Sequence, residues 1–193
     1  KLSLEADYFI RNTSDILFDQ QNPGVTGVRT PTTLNIAEVE NRGWEASLSY
    51  TENFGDFTFS FGGNVTNVES EVISVNPTAS AENDRVIQGN YIIQRGQPIN
   101  ALYGLRAIGI FQSQAEIDAA ADQSAFITPG PGDLQYDDIN GDGVINNNDR
   151  TVLGQENPVW IYGFNFNFGF KGFDLSALFQ GIGDVQTYET GRF

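Results

Sequence analysis

From Trp160 to Gly169 the chain alternates strictly. Trp160, Tyr162, Phe164, Phe166 and Phe168 fall on one face, and Ile161, Gly163, Asn165, Asn167 and Gly169 on the other. A period of two is the repeat of an extended strand, because successive side chains point to opposite sides of the backbone. The pattern recurs. Leu2, Leu4, Ala6, Tyr8 and Ile10 oppose Ser3, Glu5 and Asp7; Trp44, Ala46, Leu48 and Tyr50 oppose Glu45, Ser47 and Ser49. Phe57, Phe59, Phe61, Gly63 and Val65 oppose Thr58, Ser60, Gly62, Asn64 and Thr66, and Phe173, Leu175, Ala177 and Phe179 oppose Asp174, Ser176 and Gln180. A chain of this kind is committed to antiparallel sheet with one apolar face.

Two architectures can use such a sheet. A soluble sandwich buries the apolar face against a second sheet, and a transmembrane barrel turns it to lipid. The polar faces consist of Ser, Thr, Asn and Gly, small groups suited to a wet lumen. The apolar faces are rich in rings near strand ends, as aromatic girdles at membrane interfaces require. Fifteen Phe, seven Tyr and twenty-one Gly with no Met fit a twisted, turn-rich sheet. No apolar run is long enough for a membrane helix, so a membrane protein built from these residues has to be a barrel.

Connection lengths add a test of parity. Thr51–Gly55 and Lys171–Gly172 are short links, whereas those after Phe18, Val68 and Phe111 are long. With a strand over Asn90–Gly96 and a turn at Gln97–Pro98, about seven strands result. Every short turn then falls on one side, the periplasmic one in a bacterial barrel, and every long loop on the extracellular side. Residues 112–157 form the longest loop. Within it, Ser113 and Glu116 make a capping-box pattern ahead of Ile117–Ala121, predicting a short helix. Pro129-Gly130-Pro131-Gly132 ends regular structure after it.

The formal charge of −15 argues against nucleic acid, which needs a basic surface. Absence of Cys and His removes thiolate, disulfide and imidazole chemistry. Asp137 and Asp138 are adjacent in a turn, not two carboxylates flanking a sugar bond. Glu38 and Glu40 lie in a strand-like stretch and face solvent or lumen. Trp44 and Trp160 belong to apolar stripes, which favours lipid or core contact over sugar stacking. No catalytic site emerges, and an enzyme ranks last among the readings.

One chemical motif is sharp. Residues 138–149 read Asp-Ile-Asn-Gly-Asp-Gly-Val-Ile-Asn-Asn-Asn-Asp. Asp138, Asn140, Asp142, Asn146 and Asp149 put oxygen side chains at loop positions one, three, five, nine and twelve. Gly143 at six permits the sharp turn, Val144 at seven offers its carbonyl, and Ile145 at eight can anchor the loop in apolar surroundings. Calcium is a hard cation that takes six to eight oxygens, which this alternation can direct inward. The expectation is an EF-hand- or dockerin-like calcium loop, with Asp in place of the usual Glu at twelve. A lone loop without flanking amphipathic helices points to a staple for an exposed segment rather than a signalling switch.

Several segments resemble the C-terminal half of SusC/RagA-type TonB-dependent receptors of Bacteroidetes. They are Asn35–Tyr50 with Val39-Glu40-Asn41-Arg42-Gly43-Trp44-Glu45; Gly96-Gln97-Pro98-Ile99 with Tyr103-Gly104 and Gly109-Ile110-Phe111-Gln112; and Gly132-Asp133-Leu134-Gln135-Tyr136 running into the calcium loop. Asn157-Pro158, Tyr162-Gly163, Lys171-Gly172-Phe173-Asp174-Leu175 and Phe179-Gln180-Gly181 complete the series in the family's order.

The resemblance implies an outer-membrane barrel of about twenty-two strands around an N-terminal plug, importing oligosaccharides or peptides. It also implies a SusD-like surface lipoprotein and TonB as partners. Residues 1–193 supply no plug and no TonB-interacting segment. Seven strands fall short of closure, and Glu189, Gly191 and Phe193 do not make a convincing barrel terminus. The expectation is therefore part of a larger receptor. The alternatives are a soluble calcium-stabilised β-sandwich, as a carbohydrate-binding or adhesin module, and a dockerin-like interaction module, disfavoured by its need for two such loops.

Overall fold

The computed structural model of the protein describes residues 1–20, 32–75 and 85–188. It is all-β with little helix, and the chain divides into two compact units. One comprises Lys1–Val86, Ile93–Asn100 and Gln155–Phe193, the other Ile87–Ile92 and Ala101–Gly154.

The first unit is built on an antiparallel sheet of five long strands: β1 (Leu2–Gln20), β2 (Thr32–Phe54), β3 (Phe57–Val75), β10 (Trp160–Phe170) and β11 (Phe173–Gly183), in the order β1-β2-β3-β10-β11. The alternation read from the sequence is kept in register. Leu2, Tyr50, Phe61, Phe166 and Ala177 form one row across the strands; Leu4, Leu48, Gly63, Phe164 and Phe179 form the next. Facing aromatic pairs such as Phe61 and Phe166 contribute roughly 0.2–1 kcal/mol each. This apolar face is exposed, with Leu4 at 69% and Phe173 at 79% of full accessibility. Among the described residues this face is not covered, whereas the sandwich alternative requires it to be.

Glycines on the same face are overlaid by rings. A Cβ at Gly63 would lie 2.9 Å from the Phe164 ring, and one at Gly181 would collide with Tyr162. The opposite face carries Ser, Thr, Asn and Gly in mid-sheet, where the Asn167 side-chain amide donates to Ser60 Oγ at 3.1 Å.

Two rows of rings border the apolar face. Beside the turns, Phe54, Phe57, Phe170 and Phe173 face one another across four strands, with Phe57 and Phe170 stacked at 4.1 Å. At the other border Tyr8, Trp44, Asn67 and Trp160 are in register, and the two indoles meet edge to face at 5.7 Å over the Asn67 position. Beyond this second row the outer face turns charged: Arg42 pairs with Glu69 at 3.4 Å and with Glu71 at 4.0 Å. Beyond the first, Lys171 and Asp56 in adjacent turns stand 3.8 Å apart.

Past the tryptophan row the faces exchange character. Ala37, Val39, Val72 and Val75, all on the inner, formerly polar side, are buried in a small core with Ile93. The core is completed by partly buried Ile16, Val86 and Ile99. The Ile93–Asn100 segment is held there by Gly96 N–H donating to Val72 O and Val72 N–H donating to Gln97 O, both at 2.9 Å. Arg42, Glu69 and Glu71 take the outer side, so strands continue beyond the point at which the alternation reads as loop. Glu40 faces Glu71 on that same outer side.

The expected parity holds for two turns and fails for the third. Gly55–Asp56 and Lys171–Gly172 are two-residue turns at the same end of the sheet, because Phe57 pairs with Phe170. The Gln97–Pro98 turn instead sits beside Val72, toward the far end of β3. The expected strand over Asn90–Gly96 is only β5 (Tyr91–Gln94), and the stretch to Phe111 is split in two. Five long strands therefore replace the expected seven. A four-residue strand cannot span a bilayer, and its isoleucines are used up in local cores. The predicted loop after Phe18 falls largely on residues 21–31, which lie outside the described residues, as do Glu189, Gly191 and Phe193.

A separate four-stranded sheet is ordered β4 (Arg85–Gln88), β5, β6 (Ala101–Leu105), β9 (Arg150–Gly154), and a ribbon pairs β7 (Ala107–Ile110) with β8 (Leu134–Tyr136). The helix α1 spans Gln114–Ala119, a few residues earlier than expected. Ser113 Oγ accepts from Glu116 N–H as the capping pattern requires, while the Glu116 carboxylate takes the N–H of Gln112 rather than that of Ser113.

The tight packing at Gly43 yields a prediction. A Cβ there would lie 2.2 Å from the Asn67 carbonyl oxygen and 2.9 Å from the Phe9 ring. Gly43→Ala should destabilise the folded protein by about 1–3 kcal/mol, seen as an earlier denaturant midpoint. Gly109→Ala, whose new methyl meets only Gln135 Oε1 at 3.7 Å, should leave that midpoint unchanged.

Candidate metal centre

The loop at 138–149 is one continuous hydrogen-bonded turn. Asp138 caps its start: its carboxylate accepts from the N–H groups of Gly141 at 2.8 Å, Asp142 at 3.2 Å and Gly143 at 2.8 Å. Asn140 Oδ1 takes the N–H of Asp142 at 2.9 Å, and its amide donates to Asp142 Oδ2 at 3.0 Å. Asp142 Oδ1 takes the N–H of Val144 at 2.9 Å. Short polar side chains bonding backbone two or three residues on stabilise such turns locally. The reversal at position six is possible because Gly143 holds φ +83°, a left-handed value that costs a residue with a Cβ.

Asp149 closes the loop from inside. Its carboxylate is fully buried and accepts from Ile139 N–H at 3.1 Å, Asn140 N–H at 3.4 Å and Asn146 N–H at 2.8 Å. It stands in a 3-10 turn over Asn147–Asp149 that Asn146 caps. The Asn146 side chain also donates to the Val144 carbonyl at 3.1 Å. Ile145 is fully buried, as expected of the anchor. Its backbone, with that of Gly143, bonds Asp122 in a parallel bridge of 2.8 and 2.9 Å. All six expected ligands, Asp138, Asn140, Asp142, Val144, Asn146 and Asp149, thus belong to one turn.

Among the described residues no three carboxylates converge as a metal cage of acids would. The oxygens alternate among carboxylate, amide and carbonyl, a hard, mixed set that suits calcium better than a soft metal.

Neighbouring side chains that the sequence did not mark hold the loop in place. Gln123, almost fully buried, donates to Leu134 O at 2.9 Å and accepts from Tyr136 N–H at 3.5 Å. Asp122 accepts hydrogen bonds from the backbone and hydroxyl of Ser124, which hold its carboxyl below the usual carboxylate range. Asp137 is bound to the guanidinium of Arg106 through Nε at 3.0 Å and through Nη2. On the large sheet, a groove of about 410 Å³ is lined by Asn64, Ile161, Tyr162, Gly163, Gln180 and Ile182, among others. Its two isoleucines, Ile161 and Ile182, face each other across β10 and β11 on the side that also carries Asn64 and Gln180.

No family model matches the chain. It aligns with TonB-dependent receptor P26 of Formosa agariphila at 30% identity over 95% of its own length, and with TonB-dependent receptor P3 of the same organism at 30% over 97%.

The chain belongs to the TonB-dependent receptors.

It spans about a fifth of the length of these relatives (19% of each). The fold agrees. The chain superposes on the RagAB peptide importer in its 'closed-closed' state with a TM-score of 0.68, at 20% identity, covering 95% of this chain and 19% of that one. The 'open-open' state gives 0.66 over 96% and 19%. The resemblance to TonB-dependent receptors seen in the sequence is therefore borne out, and the likeness to RagAB is one of fold. These relatives are named for reception and import rather than for catalysis.

In this receptor segment Asp149 is the acceptor on which the loop closes. Asp149→Ala should leave three N–H groups without their acceptor, at roughly 1–3 kcal/mol for each that stays buried. Hydrogen exchange at Ile139, Asn140 and Asn146 should accelerate at least tenfold, whereas Asn148→Ala should leave those amides at their original rates.

Proposed function

We propose that these residues are part of the wall and outer face of an outer-membrane TonB-dependent importer of oligosaccharides or peptides. It works with a SusD-like surface lipoprotein and is energised by TonB through a plug region. The role is transport, not catalysis.

The observation that carries this reading is the spacing of the two aromatic rows. From Phe57 to Asn67 is ten residues, about 33 Å along a strand. A strand tilted as in outer-membrane barrels would project this to about 25 Å, the height of an apolar band between interfacial girdles. Ion pairs on the outer face beyond the tryptophan row and between the turns beyond the phenylalanine row suit the same boundaries. The polar face of Ser, Thr, Asn and Gly is apt for a wet lumen. Its substrate contacts would come from such groups and from longer ones such as Gln180. The two-residue turns would lie on the periplasmic side, and residues 112–157 would form an extracellular loop.

Lipid exposure is tested by charge. Phe166→Arg should cost the folded barrel about 2–4 kcal/mol near mid-bilayer, while Asn165→Arg, on the other face of the same strand, should cost far less. Equal folding yields in lipid vesicles would count against the assignment. Import is tested in cells: deletion of the receptor gene should abolish growth on one glycan or peptide source, restored by the intact gene. Growth on every such source without the receptor would reject the importer reading.

For the loop, we propose that Asp138, Asn140, Asp142, Val144, Asn146 and Asp149 hold Ca2+ as a structural staple. The all-oxygen donor set and the fixed turn support this. Calorimetry on the full receptor should show one binding event that Asp142→Ala removes. Identical heats in both proteins would sink the calcium site.

A further inference from the structure

The two ends of the 138–149 loop meet on a single short piece of backbone. Leu105 pairs with Arg150, the residue just after the loop, and Ala107 pairs with Tyr136, just ahead of it. Arg106 lies between them, and its carbonyl accepts the N–H of Asp137 at 2.9 Å. Both strands of the neck therefore hang from Leu105-Arg106-Ala107, a span of about 7 Å.

Each side of this neck is locked by a guanidinium. Arg106 binds the carboxylate of Asp137 through Nε and Nη2. The Nη2 of Arg150 donates to the carbonyls of Gly89 at 2.8 Å and Tyr103 at 2.7 Å, and its Cζ lies 4.7 Å from the centre of the Tyr103 ring. The planar fork can reach two carbonyls and an aromatic face at once, which the point charge of a lysine cannot reproduce.

We infer that Arg106 and Arg150 are positioning residues that close the neck of the loop and preset its oxygens for a cation. The role in cation binding rests on the calcium reading above. Neither arginine contributes an oxygen, and both carry positive charge, so their effect runs through shape. Asp149 and Arg150 are consecutive. Fixing the guanidinium on the β4–β5 turn and on β6 fixes the backbone from which the buried Asp149 carboxylate enters the loop. Asp137 and Asp138 are consecutive in the same way at the other side. A loop closed at both ends loses less freedom when it binds an ion, and partners that orient metal ligands from outside the coordination shell are commonly worth 10- to 100-fold in affinity.

The test uses the full receptor with Arg150→Met, Arg106→Met, Arg150→Lys and Asp142→Ala, each checked for folding by its β-sheet circular dichroism. Two quantities are read: the calcium dissociation constant by equilibrium binding, and the rate of protease cleavage within 138–149 in chelator. Arg150→Met and Arg106→Met should weaken calcium about 10- to 100-fold without changing its stoichiometry, and Arg150→Lys should recover part of the loss. Both Met variants should also be cleaved faster than the unaltered receptor without metal. Unchanged affinity in the Met variants, with calcium still bound by the unaltered receptor, overturns the positioning role. If the unaltered receptor binds no calcium, the calcium reading itself fails. The cleavage rates then judge closure of the neck by themselves, and equal rates overturn it.

Discussion

Register is the constraint on which the large sheet depends. A strand's side chains alternate with a period of two, so slipping one strand by a single residue would carry its whole apolar set to the polar face. Across β1, β2, β3, β10 and β11 the pairing keeps rows such as Leu4-Leu48-Gly63-Phe164-Phe179 on one side. The tight turns fix that register at one end. Phe54 faces Phe57 across Gly55–Asp56, and Phe170 faces Phe173 across Lys171–Gly172, so each hairpin has no slack for a slip. In hydrocarbon the constraint becomes absolute, because each backbone group left without a partner costs several kcal/mol.

The same strands show how far a sequence reading reaches. Within the apolar band, the periodicity of Trp44–Tyr50, Phe57–Thr66, Trp160–Phe168 and Phe173–Gln180 was legible because the environment of each face is uniform there. It ceased to be legible at Val68. From that point Glu69 and Glu71 occupy the outer face while Val72 and Val75 are buried on the inner one. The backbone remains extended, but its surroundings have changed: the outer face becomes charged, and the inner face is covered by Ile93 and Ile99. A reader following one apolar face sees the pattern end. What ends is the environment, not the strand. The short strands are hard to read from sequence for a related reason: Ile92 and Ile93 are adjacent, and each is buried in a different core.

The candidate metal loop divides along the same line between local and distant information. Its turn was readable residue by residue, since Asp138 capping Gly141 and Gly143, and Asn140 capping Asp142, involve partners at most five positions apart. The partners that hold it in the unit come from far along the chain. Arg150 reaches Gly89 across 61 positions, and Arg106 reaches Asp137 across 31. Nothing in the spacing of single arginines distinguishes such a role from a solvated charge.

These two scales explain why a strongly acidic segment can keep an ordered loop. Asp138, Asp142 and Asp149 would repel one another if their carboxylates stood free in a low-dielectric setting. Here each oxygen that could add to the repulsion accepts a backbone or side-chain N–H, so the negative charge is spread into the peptide dipoles of the turn. The guanidinium at Asp137 and the one following Asp149 add positive charge at the neck, where the chain enters and leaves. Folding of the turn has therefore already met much of the cost of gathering the oxygens. A divalent cation would have to supply only the remainder, by taking up the charge that the amides and the two arginines leave uncompensated.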